Sequence, residues 1–181
     1  FAALRRLRDD SGIPTHRLRV VGGDEYAGVA KDEAGSFAQY TRRHVLEPLG
    51  CDGGAALLMD GGADDLDAEC TQFEDSLAHD PCEVAVLGLG MNGHLAFNDP
   101  PSAADSRTRV LRLTDESIAA AQADFPKRAR ELLPSEALSI GIGTIRERCA
   151  HVVLLVSGAK KAPVLHAMLE GAYVGPNFPA S

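Results

Sequence analysis

Short, nearly unbroken apolar runs alternate along this chain with stretches whose apolar residues return every three or four positions. The second pattern predicts helices over 1–10, from Ser36 to a stop at Pro48 and Gly50, over 64–80, over 115–125 and over 160–171. The first pattern predicts strands at Leu18 to Val21 (broken by Gly22 and Gly23), 55–60, 83–90, 107–113, 137–143 and 151–158. The run 83–90, EVAVLGLG, reads as a central strand covered on both faces, and 151–158, HVVLLVSG, as a second buried one. Strands alternate with helices and no internal repeat interrupts them. The order predicts one α/β domain over 1–181: a doubly wound, mostly parallel, Rossmann-like sheet with helices on both faces. The helical pattern is already running at Phe1 with no N-cap residue before it, so an N-terminal unit of the fold is expected ahead of residue 1.

In open sheets of this type ligands bind beyond the carboxyl ends of strands. Three segments then carry the candidate chemistry: Gly23 to Tyr26, Gly90 to Asp99 and Ser157 to Lys161. The second contains Gly88-x-Gly90-x-x-Gly93, a fingerprint associated with dinucleotide sites. Such a site needs a helix starting at the third glycine, whereas HLAFNDPP follows here and Pro100 and Pro101 forbid a long one. The segment instead displays His94 and Asp99 five residues apart, with Asn92 and Asn98 beside them. A carboxylate next to an imidazole makes an acid–base unit that works near neutral pH; the competing reading is a loop histidine followed by an Asn-Asp-Pro turn. In GGDEY one of Asp24 and Glu25 can face the crevice while the other faces away, or both can belong to a polar loop. Lys160 and Lys161 sit where a helix dipole disfavours cations, which suits either an arriving anion or a solvated pair. Arg107 and Arg109 share one face of their strand, as an anion site or a wet edge.

Composition narrows the classes. Eighteen basic and 26 acidic residues give a net charge of −8, so the chain has no general electrostatic footprint for nucleic acid. No apolar run approaches the roughly 18 residues of a membrane span, and the charged start of the sequence leads to the expectation of no signal peptide. Cys51, Cys70, Cys82 and Cys149 show no CxxC spacing, so metal or redox chemistry is not expected and a cytoplasmic location is.

The run LGLGMNGHLAFNDP, together with DEY, DAEC.Q.E, SRTRV, GIGT and SGAKKA, resembles the glucosamine-6-phosphate deaminase (isomerase) family, which shares its fold with 6-phosphogluconolactonases. The resemblance implies conversion of glucosamine 6-phosphate, or galactosamine 6-phosphate, to the ketose 6-phosphate with loss of ammonia, without metal or organic cofactor. Asp24 then resembles the base that moves the C2 proton to C1, and His94 the group that assists ring opening. Asp99 stands where the family usually has a glutamate, and Asn92 where members have aspartate or asparagine. Glu25, Gly90, Gly93 and Lys161 correspond to substrate-binding positions, Lys161 to the phosphate lysine. Ser102 and Arg109 resemble an anion site used for allosteric control. The chain departs from the pattern at Asp99, one methylene short, and at Ala123, where much of the family has a phosphate-binding arginine. Lys127, Arg128 and Arg130 are the nearby cations that could replace it. The family's glycine- and threonine-rich phosphate loop and its last strand are expected outside residues 1–181. Two alternatives stay open: a lactonase-like hydrolase, and a sugar-phosphate-binding protein without catalysis. Assembly into a homo-oligomer is open as well.

Overall fold

A computed structural model describes residues 2–51, 56–171 and 174–181, so Phe1 and Ala55, which begin two of the predicted elements, lie outside the described residues. The elements are α1 (Ala2–Ser11), β1 (Val20–Gly22), β2 (Asp24–Tyr26), α2 (Phe37–Thr41) running through a π-helical turn into α3 (Glu47–Leu49), β3 (Ala56–Leu58), α4 (Leu66–His79), β4 (Cys82–Gly88), β5 (Arg109–Arg112), α5 (Asp115–Ala121), β6 (Glu136–Ser139), α6 (Ile142–Arg148), β7 (Cys149–Leu155) and α7 (Ala162–Leu169). No helix among the described residues is long and apolar enough to cross a membrane.

The architecture is mixed α/β. β1 pairs with β3 and β4 with β7 in parallel, whereas β6 lies antiparallel between β2 and β5. The described strands form several small sheets, some of them parallel. Asp24-Glu25-Tyr26 is itself a strand and not a polar loop, because its backbone pairs with Ser139, Leu138 and Ala137 of β6.

β6 organises the interior. Ala137 and Leu138 point to opposite faces and enter different cores. Ala137 joins Tyr26, Val29, Leu113, Ala121, Phe125 and Leu133. Leu138 joins Met59, Cys70, Phe73, Leu77, Ile140 and Ile145. α4 supplies Cys70, Phe73 and Leu77 from one face, and its start is fixed by Asp65, whose side chain accepts the Ala68 N–H at 2.9 Å. Glu74 on the same helix accepts from the Thr108 N–H and from the hydroxyls of Thr108 and Thr144, tying α4 to the chain before β5 and to α6.

The expected strand over 137–143 ends at Ser139, and helix α6 begins at Ile142. The switch has a tertiary cause: Ser106 reaches across, its Oγ accepting the Ile142 N–H and its carbonyl the Gly143 N–H. A short apolar run carries no local sign of such a partner. The expected burial of β4 and β7 is corrected too. Val84 and Val86 are 50% and 60% exposed, and Leu155 is 62% exposed. Val84 and Val86 line a cleft of about 520 Å³ together with Arg19, Val21, Gly23 and Ile140. Arg107 falls outside β5 and pairs with Glu147, so it does not share a strand face with Arg109.

Candidate active site

In-register pairing of Gly88 with Leu155 puts the ends of β4 and β7 side by side, so the segments 89–102 and 156–161 leave the same edge. Between Gly88 and Ser102 the chain turns repeatedly and forms no helix, which leaves the glycine fingerprint without a helix N-terminus to meet a pyrophosphate. The loop closes on itself: the Gly90 N–H donates to the His94 carbonyl at 2.9 Å and the Gly93 N–H to the Gly90 carbonyl at 3.2 Å. A Cβ on Gly90 would collide with the Cδ2, Cε1 and Nε2 atoms of the His94 ring, so only glycine lets the imidazole lie there. Gly93 adopts φ +84°, and any side chain on it would meet the Phe178 ring.

All three cores hold this loop. Leu89 packs with Val164 and Phe178, Ala96 against the Met59 cluster and Phe97 against the Tyr26 cluster. Buried Asn98 bridges outward and inward at once: its amide donates to the carbonyls of Leu95 and Ile140, and its Oδ1 accepts from Arg109. The C-terminal segment straps the outer side, with the Ala180 N–H on the Gly93 carbonyl and the Pro176 carbonyl accepting the Ser102 N–H. Ala96, at φ +51°, is the non-glycine residue in the left-handed region among those described. Such strained backbone collects where the surroundings over-determine a conformation.

The result is a fixed acid–base group. His94 Nδ1 lies 2.9 Å from Asp99 Oδ1, which also accepts from the Asn92 amide at 2.8 Å. An ionised carboxylate can only accept, so Nδ1 carries the proton that faces it, and in the neutral imidazole Nε2 then keeps its lone pair. The Asp99 side chain is 12% exposed and that of His94 33%. Asp99 reaches the imidazole despite its short side chain. Its second oxygen, Oδ2, lies 3.3 Å from the hydroxyls of both Thr114 and Ser117 at the start of α5. Sequence reasoning missed this hydroxyl pair; its one local signal is Thr114 as the N-cap of α5, accepting the Ser117 N–H.

Asp24 stands beside the loop. It pairs with Ser139, whose hydroxyl accepts the Phe97 N–H at 3.1 Å, and the Tyr26 and Phe97 rings lie 5.5 Å apart. Burial, and then the charge of Glu25, push the Asp24 carboxyl up to about 7. Glu25 has a different setting. It is fully buried, one oxygen accepts the Tyr26 and Phe37 N–H groups, and the other accepts that of Ala38. Burial raises its proton affinity and those three N–H groups oppose the rise. Its side chain thus anchors the start of α2 and has no surface toward solvent. Glu25→Ala is expected to leave three donors without a partner and to cost about 3 kcal/mol of stability, with Glu25→Gln losing less, read from urea unfolding midpoints at unchanged slope.

The other predicted residues divide. Lys161 is half-buried at the turn into α7, on the strand edge it shares with the His94 loop, and no described carboxylate pairs with it. Arg109 and Ser102 do meet, at 3.5 Å, but Arg109 also donates to Asn98 and the Arg107 carbonyl, so it braces the loop from behind. Of the cations near Ala123, Arg128 is engaged with Glu33 and lies 4.3 Å over the Phe125 ring.

Fold and site together define a class: an α/β protein with acid–base groups at the ends of its strands and, among the described residues, no group of three or more His, Cys, Asp or Glu able to hold a metal. The comparisons narrow it. Over residues 1–181 the chain matches, and belongs to, the family described as glucosamine-6-phosphate isomerases/6-phosphogluconolactonase. It is 41% identical over 172 residues to a glucosamine-6-phosphate deaminase of Cutibacterium acnes, covering 94% of this chain and 65% of that one. It is 33% identical over 184 residues to glucosamine-6-phosphate deaminase 1 of Bacillus subtilis, covering 100% of this chain and 74% of that one. The chain thus spans about two thirds to three quarters of these relatives. A solved monomeric glucosamine-6-phosphate deaminase of the NagB superfamily superposes with a TM-score of 0.91 at 32% identity, over 99% of this chain and 73% of that one. A 6-phosphogluconolactonase from Thermotoga maritima superposes at 0.71 with 17% identity, a likeness of fold alone.

Proposed function

We propose that this chain carries the catalytic groups of a glucosamine-6-phosphate deaminase. The observation that supports this most is the juxtaposition across Ser139 of a carboxyl raised to about 7, Asp24, with the loop that fixes the His94–Asp99 pair. In this reading the closed sugar first meets His94. Its free Nε2 takes the proton of the C1 hydroxyl and returns it to the ring oxygen as the C1–O bond breaks. Asp99 steadies the imidazolium that forms in between. Ionised Asp24 then removes the C2 proton, leaving an enolamine, and delivers it to C1. Water adds to the iminium at C2 and ammonia leaves, so that substrate plus water balance fructose 6-phosphate plus ammonia. One carboxylate held over two adjacent carbons suffices for the transfer.

Lys161 is read as the phosphate partner, since it shares the strand edge and pairs with no carboxylate among the described residues. A phosphate held away from the reacting carbons supplies binding energy that positions them. Glu25 is assigned a supporting part, holding β2 and α2 together so that Asp24 stays in place. Ser102 and Arg109 are the residues that would take a second, regulatory anion. The two parallel pairs are read as parts of one doubly wound sheet, because both send their strand ends toward the site.

Gly90→Ala is expected to displace the His94 ring and lower kcat/KM by about 100-fold with folding intact, checked by steady-state kinetics beside circular dichroism. The activity itself is tested by incubating the full-length protein with glucosamine 6-phosphate, galactosamine 6-phosphate and 6-phosphogluconolactone. Ammonia and ketose phosphate from an amino sugar support the reading. Lactone hydrolysis without ammonia would favour the lactonase alternative, and sugar-phosphate binding without turnover the non-catalytic one.

A further inference from the structure

We propose that Thr114 and Ser117 are positioning residues: their hydroxyls hold Asp99 Oδ2, so that Asp99 Oδ1 faces the His94 imidazole and fixes its tautomer. The inference rests on the reading of His94 and Asp99 as the ring-opening pair. A carboxylate on one rotatable bond from its Cβ can turn its oxygens away from a neighbour unless both are held. Here the two oxygens have separate partners. Oδ1 takes the Asn92 amide at 2.8 Å and His94 Nδ1 at 2.9 Å, whereas Oδ2 meets Thr114 Oγ1 and Ser117 Oγ, each at 3.3 Å.

The hydroxyls suit the task. Thr114 Oγ1 accepts the Ser117 N–H at 3.2 Å through a lone pair, and its one proton has two acceptors in reach, Ser117 Oγ at 3.1 Å and Asp99 Oδ2 at 3.3 Å. The two hydroxyl oxygens are 3.1 Å apart, and each has Asp99 Oδ2 as an acceptor. They stand on a rigid base: Leu113 beside them is buried in the Tyr26 core, and α5 continues from the cap to buried Ala121. The same stretch of chain steadies the loop a second time, through Arg109 on Asn98 and Ser102. The loop residues 98–102 thus lean on one continuous support, β5 into α5, and the hydroxyls are the part of it that reaches the acid–base pair. An aspartate in this position gains from such a support, because its carboxyl carbon is Cγ, one methylene nearer the backbone than a glutamate's, and its oxygens reach the ring from fewer conformations.

The experiment uses the full-length protein with S117A, T114V/S117A, T114S and T114D. Thr114→Asp keeps a good helix cap but replaces the donor with a charge that repels Asp99. Two measurements are made: steady-state deamination of glucosamine 6-phosphate, and the ring-nitrogen chemical shifts of His94 in the ligand-free protein. For T114V/S117A and T114D, kcat is expected to fall about 10- to 100-fold with KM within about twofold, and the neutral imidazole to change from mainly Nδ1–H to a mixture of tautomers. S117A is expected to fall between these and wild type, and T114S to match wild type. A role confined to capping α5 would leave S117A, which keeps the Thr114 cap and the Ser117 N–H, with wild-type kinetics and tautomer, and that result overturns the proposal. Wild-type protein that releases no ammonia would refute the proposed activity, while the tautomer measurement would still decide the positioning role. Unchanged nitrogen shifts in T114V/S117A would refute it.

Discussion

Asp24→Asn is expected to lower kcat by about 10³- to 10⁴-fold while KM stays within about threefold, because the amide keeps the shape of the side chain and loses only the ability to take a proton. Exchange of the C2 proton should vanish with the same substitution; exchange at the wild-type rate would remove Asp24 from the base role. The raised carboxyl, at about 7, gives two further signatures. The first is kinetic: kcat/KM of the wild type should rise with pH through about 7 and then level, as the base ionises. The second concerns stability. A carboxyl that binds its proton more tightly in the folded state than in the unfolded one favours folding at low pH. That advantage is lost as the pH climbs from the ordinary value of 3.8 to about 7. At pH 8 the folded protein therefore holds an unfavourable buried charge, and Asp24→Asn should relieve it. Asp24 keeps some contact with solvent, so the gain is expected at about 2–4 kcal/mol, absent at pH 3.5 and present at pH 8 in parallel urea titrations. A substitution that destroys activity and stabilises the fold is the mark of a group held in place for chemistry.

His94→Gln should cost about 10²- to 10³-fold in kcat on the closed-ring substrate and much less on an open-chain analogue that skips ring opening. Glutamine can still donate toward Asp99 but cannot shuttle a proton. The comparison is a ratio of two kcat/KM values on one variant, so any general damage to the site cancels. Equal losses on both substrates would move His94 out of ring opening.

The chemistry of this chain is easier to read in its sequence than its sheet is. His94, Asp99 and Asn92 lie within eight residues of one another, and their mutual contacts at 2.8 and 2.9 Å are local consequences of a turn that glycines 90 and 93 permit. Helix α4 was legible for a similar reason: cap, acidic first turn and buried stripe at Cys70, Phe73 and Leu77 all lie within one segment. The elements that sequence pattern misjudges depend on partners far along the chain. Residues 137–143 read as one strand because nothing local announces that Ser106 will take up the Ile142 and Gly143 N–H groups. Asp24 to Tyr26 stay open between an extended stretch and a polar loop because their strand partner, β6, lies more than a hundred residues away. β4 and β7 are apolar enough to predict burial, yet Val84, Val86 and Leu155 remain exposed among the described residues. The split of roles between Asp24 and Glu25 was visible only as an alternation. It took the Phe37 and Ala38 N–H groups to show which carboxyl the scaffold uses. Thr114 and Ser117 escaped notice because a helix cap gives no hint of a carboxylate 15 and 18 residues upstream.

The most direct measurement follows glucosamine 6-phosphate deuterated at C2 by proton and deuterium NMR as the full-length protein acts on it, with ammonia counted in the same tube. The account expects one ammonia for each fructose 6-phosphate, loss of the C2 label in step with turnover, and part of that label carried to C1 in the product. Ammonia release with deuterium retained at C2, or no ammonia at all, would contradict it.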